Sequence, residues 1–157
     1  MICGRTRHTR LALLLALLAT ALLLSACGGA QQPAAQSGAA GAVGTVVDTG
    51  NGMYRDITAA ELKAMMDKKD FFHVDVHVPH EGIIPQLDAR IPFDQITREL
   101  DQLPQDKAAK IVLSCRSGRM SSEAATALVA AGYTNVYNLS GGFNAWRDAG
   151  YPFTPEP

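Results

Sequence analysis

An α/β domain with a central, mostly parallel sheet and helices on both faces, a three-layer fold, is predicted for residues 53–157. Short apolar, strand-like runs alternate with amphipathic helical patterns through this segment, which favours parallel pairing over hairpins. The run at 110–115 is apolar enough to be buried on both faces. No internal repeat is present, so a duplicated two-domain chain is not expected at this length.

In chain order, residues 54–57 read as a short strand, and Thr58-Ala-Ala-Glu61 is a capping-box pattern opening a helix striped by Leu62, Met65 and Met66. FFHVDVHV, residues 71–78, alternates, with Val74, Val76 and Val78 on one face and His73, Asp75 and His77 on the other. Pro79, Gly82 and Pro85 then interrupt regular structure, and 94–103 reads as a short helix. The strand at 110–115 runs into CRSGRMS. A helix is expected from Ser121 or Ser122 to residue 131, ended by Gly132. A strand at 135–139 and a helix from Gly141-Gly142 to residue 149 follow, closed by Gly150 and Pro152. Phe143 and Trp146, three apart on that helix, are expected in the core.

Ahead of the domain, Arg5, Arg7 and Arg10 precede an apolar run, residues 11–24, that suits a signal h-region and is short for a membrane span. It ends Leu24-Ser25-Ala26-Cys27, which resembles a bacterial lipobox. Residues 1–26 are therefore expected to be a lipoprotein signal peptide and Cys27 the lipid-modified N-terminus. Gly28 after Cys27 favours the outer membrane, with the domain facing the periplasm. Residues 27–52 are the expected lipidated end and linker. Residues 28–44 carry no charge and too little apolar surface to fold, and about 17 of them would span some 20–25 Å as a flexible chain. Removing 1–26 takes three of the 14 Lys+Arg and none of the 15 Asp+Glu, leaving a net charge of −4 (11 − 15). A mildly acidic chain without a basic tract gives no reason to expect nucleic-acid binding.

Of the three cysteines, Cys3 leaves with the signal and Cys27 is committed to lipid, so Cys115 is the lone thiol of the domain. An intramolecular disulfide, a thiolate zinc site and a CxxC redox pair are all excluded. Cys115 stands at the carboxyl end of a strand, where parallel sheets bind ligands. The loop after it offers successive amides and a helix start to an anion, with Gly118 easing the turn and Arg116 and Arg119 adding positive charge. That field favours a thiolate at the floor of an anion pocket.

With these pieces in place, residues 53–152 resemble a single-domain rhodanese, a thiosulfate sulfurtransferase. The resemblance is carried by VDVHVPHE (74–81), CRSGRMS (115–121) and GGFNAWRDAGYP (141–152), in the right order and spacing. It implies transfer of a sulfane sulfur from a small anionic donor such as thiosulfate to a thiol or cyanide. Cys115 would form the persulfide, and Arg116, Ser117, Gly118, Arg119 and Met120 would be the cradle, with Ser121 opening the helix and Asp75 in support. It implies no metal, no organic cofactor and a monomer tethered to the membrane only by its lipid. Two departures stand out: the arginine usual after Asp-Val is His77, and residues 82–88 replace a Gly-His-Ile-Pro-Gly-Ala stretch.

Three other readings compete. A phosphatase or arsenate reductase on this scaffold would need Cys-x5-Arg, but the sixth residue after Cys115 is Ser121. A non-catalytic, lipid-tethered module that binds sulfur or a partner is the main alternative. A zinc site on His73, Asp75, His77 and His80 is set aside in favour of Asp75 bonding loop backbone, with His73 and His77 at an edge or surface.

Overall fold

The computed structural model describes residues 43–156. The expected signal peptide, Cys27 and the tether as far as residue 42 lie outside the described residues. Six strands form the main sheet in the order β1-β2-β7-β6-β3-β5. These are β1 (Thr45–Asp48), β2 (Met53–Ile57), β3 (Phe72–Asp75), β5 (Ala89–Arg90), β6 (Ile111–Ser114) and β7 (Val136–Leu139). Every pairing is parallel except the β1–β2 hairpin. A second, two-stranded sheet joins β4 (Gly82–Ile83) to β8 (Thr154–Pro155).

The ordered domain begins before Met53. Thr45-Val46-Val47 supplies a β-branched run, and it pairs with β2 where a linker was expected. The tail is fastened there: Gly44 donates its amide to Glu61 Oε1 at 3.1 Å, and Arg55 Nη1 donates to the Gly44 carbonyl at 3.2 Å.

Helix α1 (Ala59–Met66) carries the expected capping box. Glu61 N donates to Thr58 Oγ1 at 3.2 Å and Thr58 N donates to Glu61 Oε2 at 2.8 Å. Residues 94–103 do not make the expected helix. Turns such as Arg98 N to Gln95 O at 2.8 Å lead into a 3-10 turn at Leu100–Gln102. Ile96 and Leu103 still anchor the segment in the core, so packing survives where the low helix propensity of Asp94, Ile96, Thr97 and Asp101 defeats a ladder.

Helices α2 (Arg119–Ala130) and α3 (Gly142–Asp148) complete the layers. Leu128 and Val129 of α2 share one core with Val74, Val76, Ile111, Leu113 and Val136. Leu62 of α1 and Phe143 and Trp146 of α3 share the other with Ile57, Val112 and Leu139. Sheet residues therefore alternate between two buried faces, and all four residues of β6 are buried. The same geometry corrects the expectation for β3. His73 and His77, expected at an edge or surface, are 0% and 3% exposed, because α1 and α3 cover the face that alternation alone would leave to solvent. His73 Nε2 lies 3.0 Å from Ser114 Oγ, while its Nδ1 has no hydrogen-bond partner among the described residues. No helix among the described residues is long and apolar enough to cross a membrane.

Burial holds His73 neutral, lowering its pKa from 6.5 to about 4, with Lys69 adding to the effect and Asp88 opposing it. The unfolded chain protonates at its ordinary value. Stability from neutral His73 is thus complete above pH 6.5 and is lost, by about 3 kcal/mol in all, as pH falls to about 4. Asp75, whose pKa is raised by burial, works in the opposite sense above its unfolded value of 3.8, so the contrast must come from a variant. His73→Gln should flatten the fall in denaturation midpoint between pH 6.5 and 4; equal slopes for wild type and variant would contradict it.

Candidate active site

β6 is flanked by β3 and β7, so the turns leaving all three strands converge at its carboxyl end. Cys115 sits at that end, 1% exposed. The loop curls back over it. Gly118 N donates to Cys115 Sγ at 3.2 Å, and the Ser121 hydroxyl lies 3.3 Å from the same sulfur and 3.2 Å from the Gly118 carbonyl. Its single proton can serve only one of these, and a thiolate, the stronger acceptor, draws it to sulfur. The amides of Arg116, Ser117, Arg119 and Met120 have no hydrogen-bond partner among the described residues. With Arg116, Ser117 and Arg119 exposed, water or an anion can complete them.

Two glycines let the loop take this path. Gly118 has φ +89°, and a Cβ there would come within 3.0 Å of Gly141 N. At Gly142 a Cβ would lie 2.0 Å from the Cys115 carbonyl. Because none is present, Phe143 N donates to Cys115 O at 2.8 Å and Asn144 N to Arg116 O at 3.0 Å. The start of α3 thus fixes the backbone whose far side carries the thiol.

Helix α2 opens at Arg119, ahead of the expected start at Ser121 or Ser122, with Gly118 as N-cap in the left-handed conformation and no side-chain cap. Ser121 does not open it. It is a buried third residue whose hydroxyl faces the sulfur. Met120 is partly buried against the α2 core. Both arginine side chains are held by carboxylates: Arg116 Nη1 donates to Glu81 Oε1 at 2.8 Å and Arg119 Nη1 to Glu123 Oε1 at 2.5 Å. Among the described residues, the hydrogen-bond donors at the sulfur are thus the Ser121 hydroxyl and the Gly118 amide.

Asp75 is in register with Ser114, next to the thiol in sequence, and braces the turn after β3. Its Oδ1 accepts the His77 amide at 2.9 Å, and its Oδ2 is 3.5 Å from His80 Nδ1. Burial pushes its carboxyl upward against the lowering effect of that amide and of both rings. His77 stacks edge-on against Phe143 at 5.9 Å, and its ring nitrogens have no hydrogen-bond partner among the described residues. No group of three His, Cys, Asp or Glu among the described residues is arranged to hold a metal. Two clefts, lined by residues such as Met53, Arg55, Gly132 and Tyr137, lie at the amino ends of the strands, away from Cys115.

Glu81, Glu123 and Gly142 were not anticipated as site residues. Glu123 had a local signal, the i,i+4 spacing from Arg119. Glu81 is 35 residues from Arg116 and had none beyond its place in VDVHVPHE.

A family model described as a rhodanese-like domain matches residues 58–149. A sulfurtransferase of Allochromatium vinosum is 34% identical over 104 residues, covering 64% of this chain and 94% of that protein. The thiosulfate sulfurtransferase GlpE of Pseudoalteromonas translucida is 31% identical, covering 61% of this chain and 91% of that protein. A rhodanese-related protein of Thermoplasma volcanium superposes with a TM-score of 0.57 at 30% identity, covering 66% of this chain and all of that one.

Gly142→Ala should disturb the loop directly, because its Cβ cannot coexist with the Cys115 carbonyl. The expected loss is about 2 kcal/mol or more, read as a lowered denaturation midpoint. A variant as stable as wild type would show that α3 does not hold the loop.

Proposed function

The chain belongs to the rhodanese-like domain family, and we propose that it is a rhodanese-type sulfurtransferase acting through a persulfide on Cys115. In the first half-reaction the Cys115 thiolate attacks the outer sulfur of a donor such as thiosulfate. A new S–S bond forms, the old one breaks, and sulfite departs with the bonding pair. In the second, a thiol or cyanide takes the outer sulfur and Cys115 is regenerated as leaving group. Two half-reactions sharing one covalent intermediate give ping-pong kinetics.

The observation that carries this reading is the pair of donors aimed at Cys115 Sγ, the Gly118 amide and the Ser121 hydroxyl. Fixed donors stabilise negative charge on sulfur without reorganising during the reaction, and no general base is needed once the thiol is ionised. The unpaired amides of Arg116, Ser117, Arg119 and Met120 are available to the terminal sulfur of a persulfide. Asp75 supports the site indirectly, by bracing the turn that carries Glu81. No organic cofactor enters this chemistry.

One observation favours a second reading, a non-catalytic module that binds sulfur or a partner: Cys115 is 1% exposed. A buried thiol reacts only with donors that enter the loop or catch it open.

We further infer from Leu24-Ser25-Ala26-Cys27 that Cys27 carries lipid and tethers the domain to a bacterial membrane, facing the periplasm. Incorporation of a tagged fatty acid into the full chain in cells, abolished by Cys27→Ser, is the expected result. Equal incorporation by the variant would exclude it.

The mass of the folded protein after thiosulfate treatment separates the two readings. Wild type should gain one sulfur and Cys115→Ser none, and cyanide should remove the gain. A folded wild type that gains nothing from thiosulfate or from a thiol persulfide would leave the partner-binding module.

A further inference from the structure

The arginines that make the loop look cationic do not act as free charges. Arg116 and Arg119 are 57% and 63% exposed, yet each is paired, with Glu81 and Glu123 respectively. The Glu81 pair is built from behind. Residues Gly82 and Ile83 directly after it form β4, which pairs with β8 in register Gly82↔Pro155 and Ile83↔Thr154. Glu156 N donates to Glu81 O at 3.0 Å, and Arg90 forms an ion pair with Glu156. This C-terminal strap lies beyond residue 149, where the family match ends. The strap fixes the backbone of Glu81, and the same Oε1 that accepts from Arg116 lies 3.5 Å from Nε2 of the buried His77. His80 faces Asp75 instead. Two guanidiniums and two carboxylates thus cancel at the mouth of the loop.

We propose that Glu81, with Glu123, determines donor specificity: by neutralising both loop arginines it selects a thiol persulfide over the thiosulfate dianion. This rests on the sulfurtransferase reading above and names the donor class for its first half-reaction. With thiosulfate, a thiolate and a dianion must meet, so three negative charges share the transition state before sulfite leaves. A thiol persulfide reacts in its protonated form RSSH, so the Cys115 thiolate meets a neutral donor and the encounter carries one negative charge. The Cys115–S bond forms as the RS–S bond breaks. The electron pair leaves on the R sulfur, which takes the donor's proton, so a Cys115 persulfide anion and RSH result with no oxidant or reductant. An ion pair presents a dipole, whose attraction for an anion falls off faster than that of a free cation. Burial of Cys115 sharpens the difference, because the cost of desolvating an ion rises steeply with its charge.

The test compares kcat/KM for thiosulfate and for the persulfide of 2-mercaptoethanol, at low ionic strength, in wild type, Glu81→Gln and Glu81→Gln/Glu123→Gln. Wild type should prefer the persulfide by about tenfold or more, and Glu81→Gln should shift that ratio about fivefold towards thiosulfate, with a larger shift in the double variant. A wild type that prefers thiosulfate, or a ratio unmoved by both variants, overturns the proposal. Alkylation of Cys115 by iodoacetate and iodoacetamide, reagents that differ by one negative charge, tests the neutralisation without sulfur transfer. The iodoacetate-to-iodoacetamide rate ratio should rise severalfold in Glu81→Gln, and an unchanged ratio overturns it. A wild type loaded by neither sulfur donor would sink the sulfurtransferase reading and the selection with it, while the alkylation ratio still reports whether Glu81 masks the loop charge.

Discussion

The whole site depends on how the chain leaves β6. At Cys115 the backbone carbonyl accepts the Phe143 amide on one side, while the sulfur accepts the Gly118 amide and faces the Ser121 hydroxyl on the other. These contacts oblige the loop to curl over its own thiol. They are possible because β6 is central, flanked by the two strands whose turns supply Gly142 and Glu81. Sheet order, rather than any one side chain, brings residues 81, 118 and 142 to one point. Glycine at 118 and 142 is the local condition, since a Cβ at 142 would occupy the space of the carbonyl it must approach.

Charge is distributed differently from the first impression given by CRSGRMS. The guanidiniums of Arg116 and Arg119 face carboxylates at the surface, and such exposed pairs contribute about 0–1 kcal/mol each to stability. Their consequence is for ligands: the receptive groups at the loop are the backbone amides, which hold no countercharge. On the donor selection proposed above, a buried thiol beneath amides and beside cancelled charges suits a soft sulfur donor better than a heavily charged one.

Much of this was legible along the chain, for identifiable reasons. The capping box at Thr58 and Glu61 is a local device and forms as written. The strand-loop-helix around Cys115 announces itself because an apolar run, a glycine and an amphipathic pattern succeed one another within 20 residues. The helix start was misplaced because Ser121 and Ser122 look like caps. In the fold Ser121 turns to the sulfur and Ser122 Oγ bonds Arg119 O at 2.8 Å, leaving Gly118 as the N-cap. β1 was hidden inside a low-complexity context whose Thr-Val-Val run gains meaning only when β2 lies beside it. His73 and His77 defied their polarity because period-2 alternation says which residues share a face, not whether a helix covers it. Glu81 was beyond local reading, since its partner is brought to it by the sheet.

The central claim, that the turn after β6 presents its amides inward to negative sulfur, is tested most directly by a crystal structure of the sulfur-loaded protein. The account predicts a second sulfur on Cys115, enclosed by the loop and within hydrogen-bond distance of amides from residues 116–120, with Gly142 still against the Cys115 carbonyl. An outer sulfur directed away from the loop, or amides turned to solvent while the sulfur rests in an apolar pocket, would contradict it.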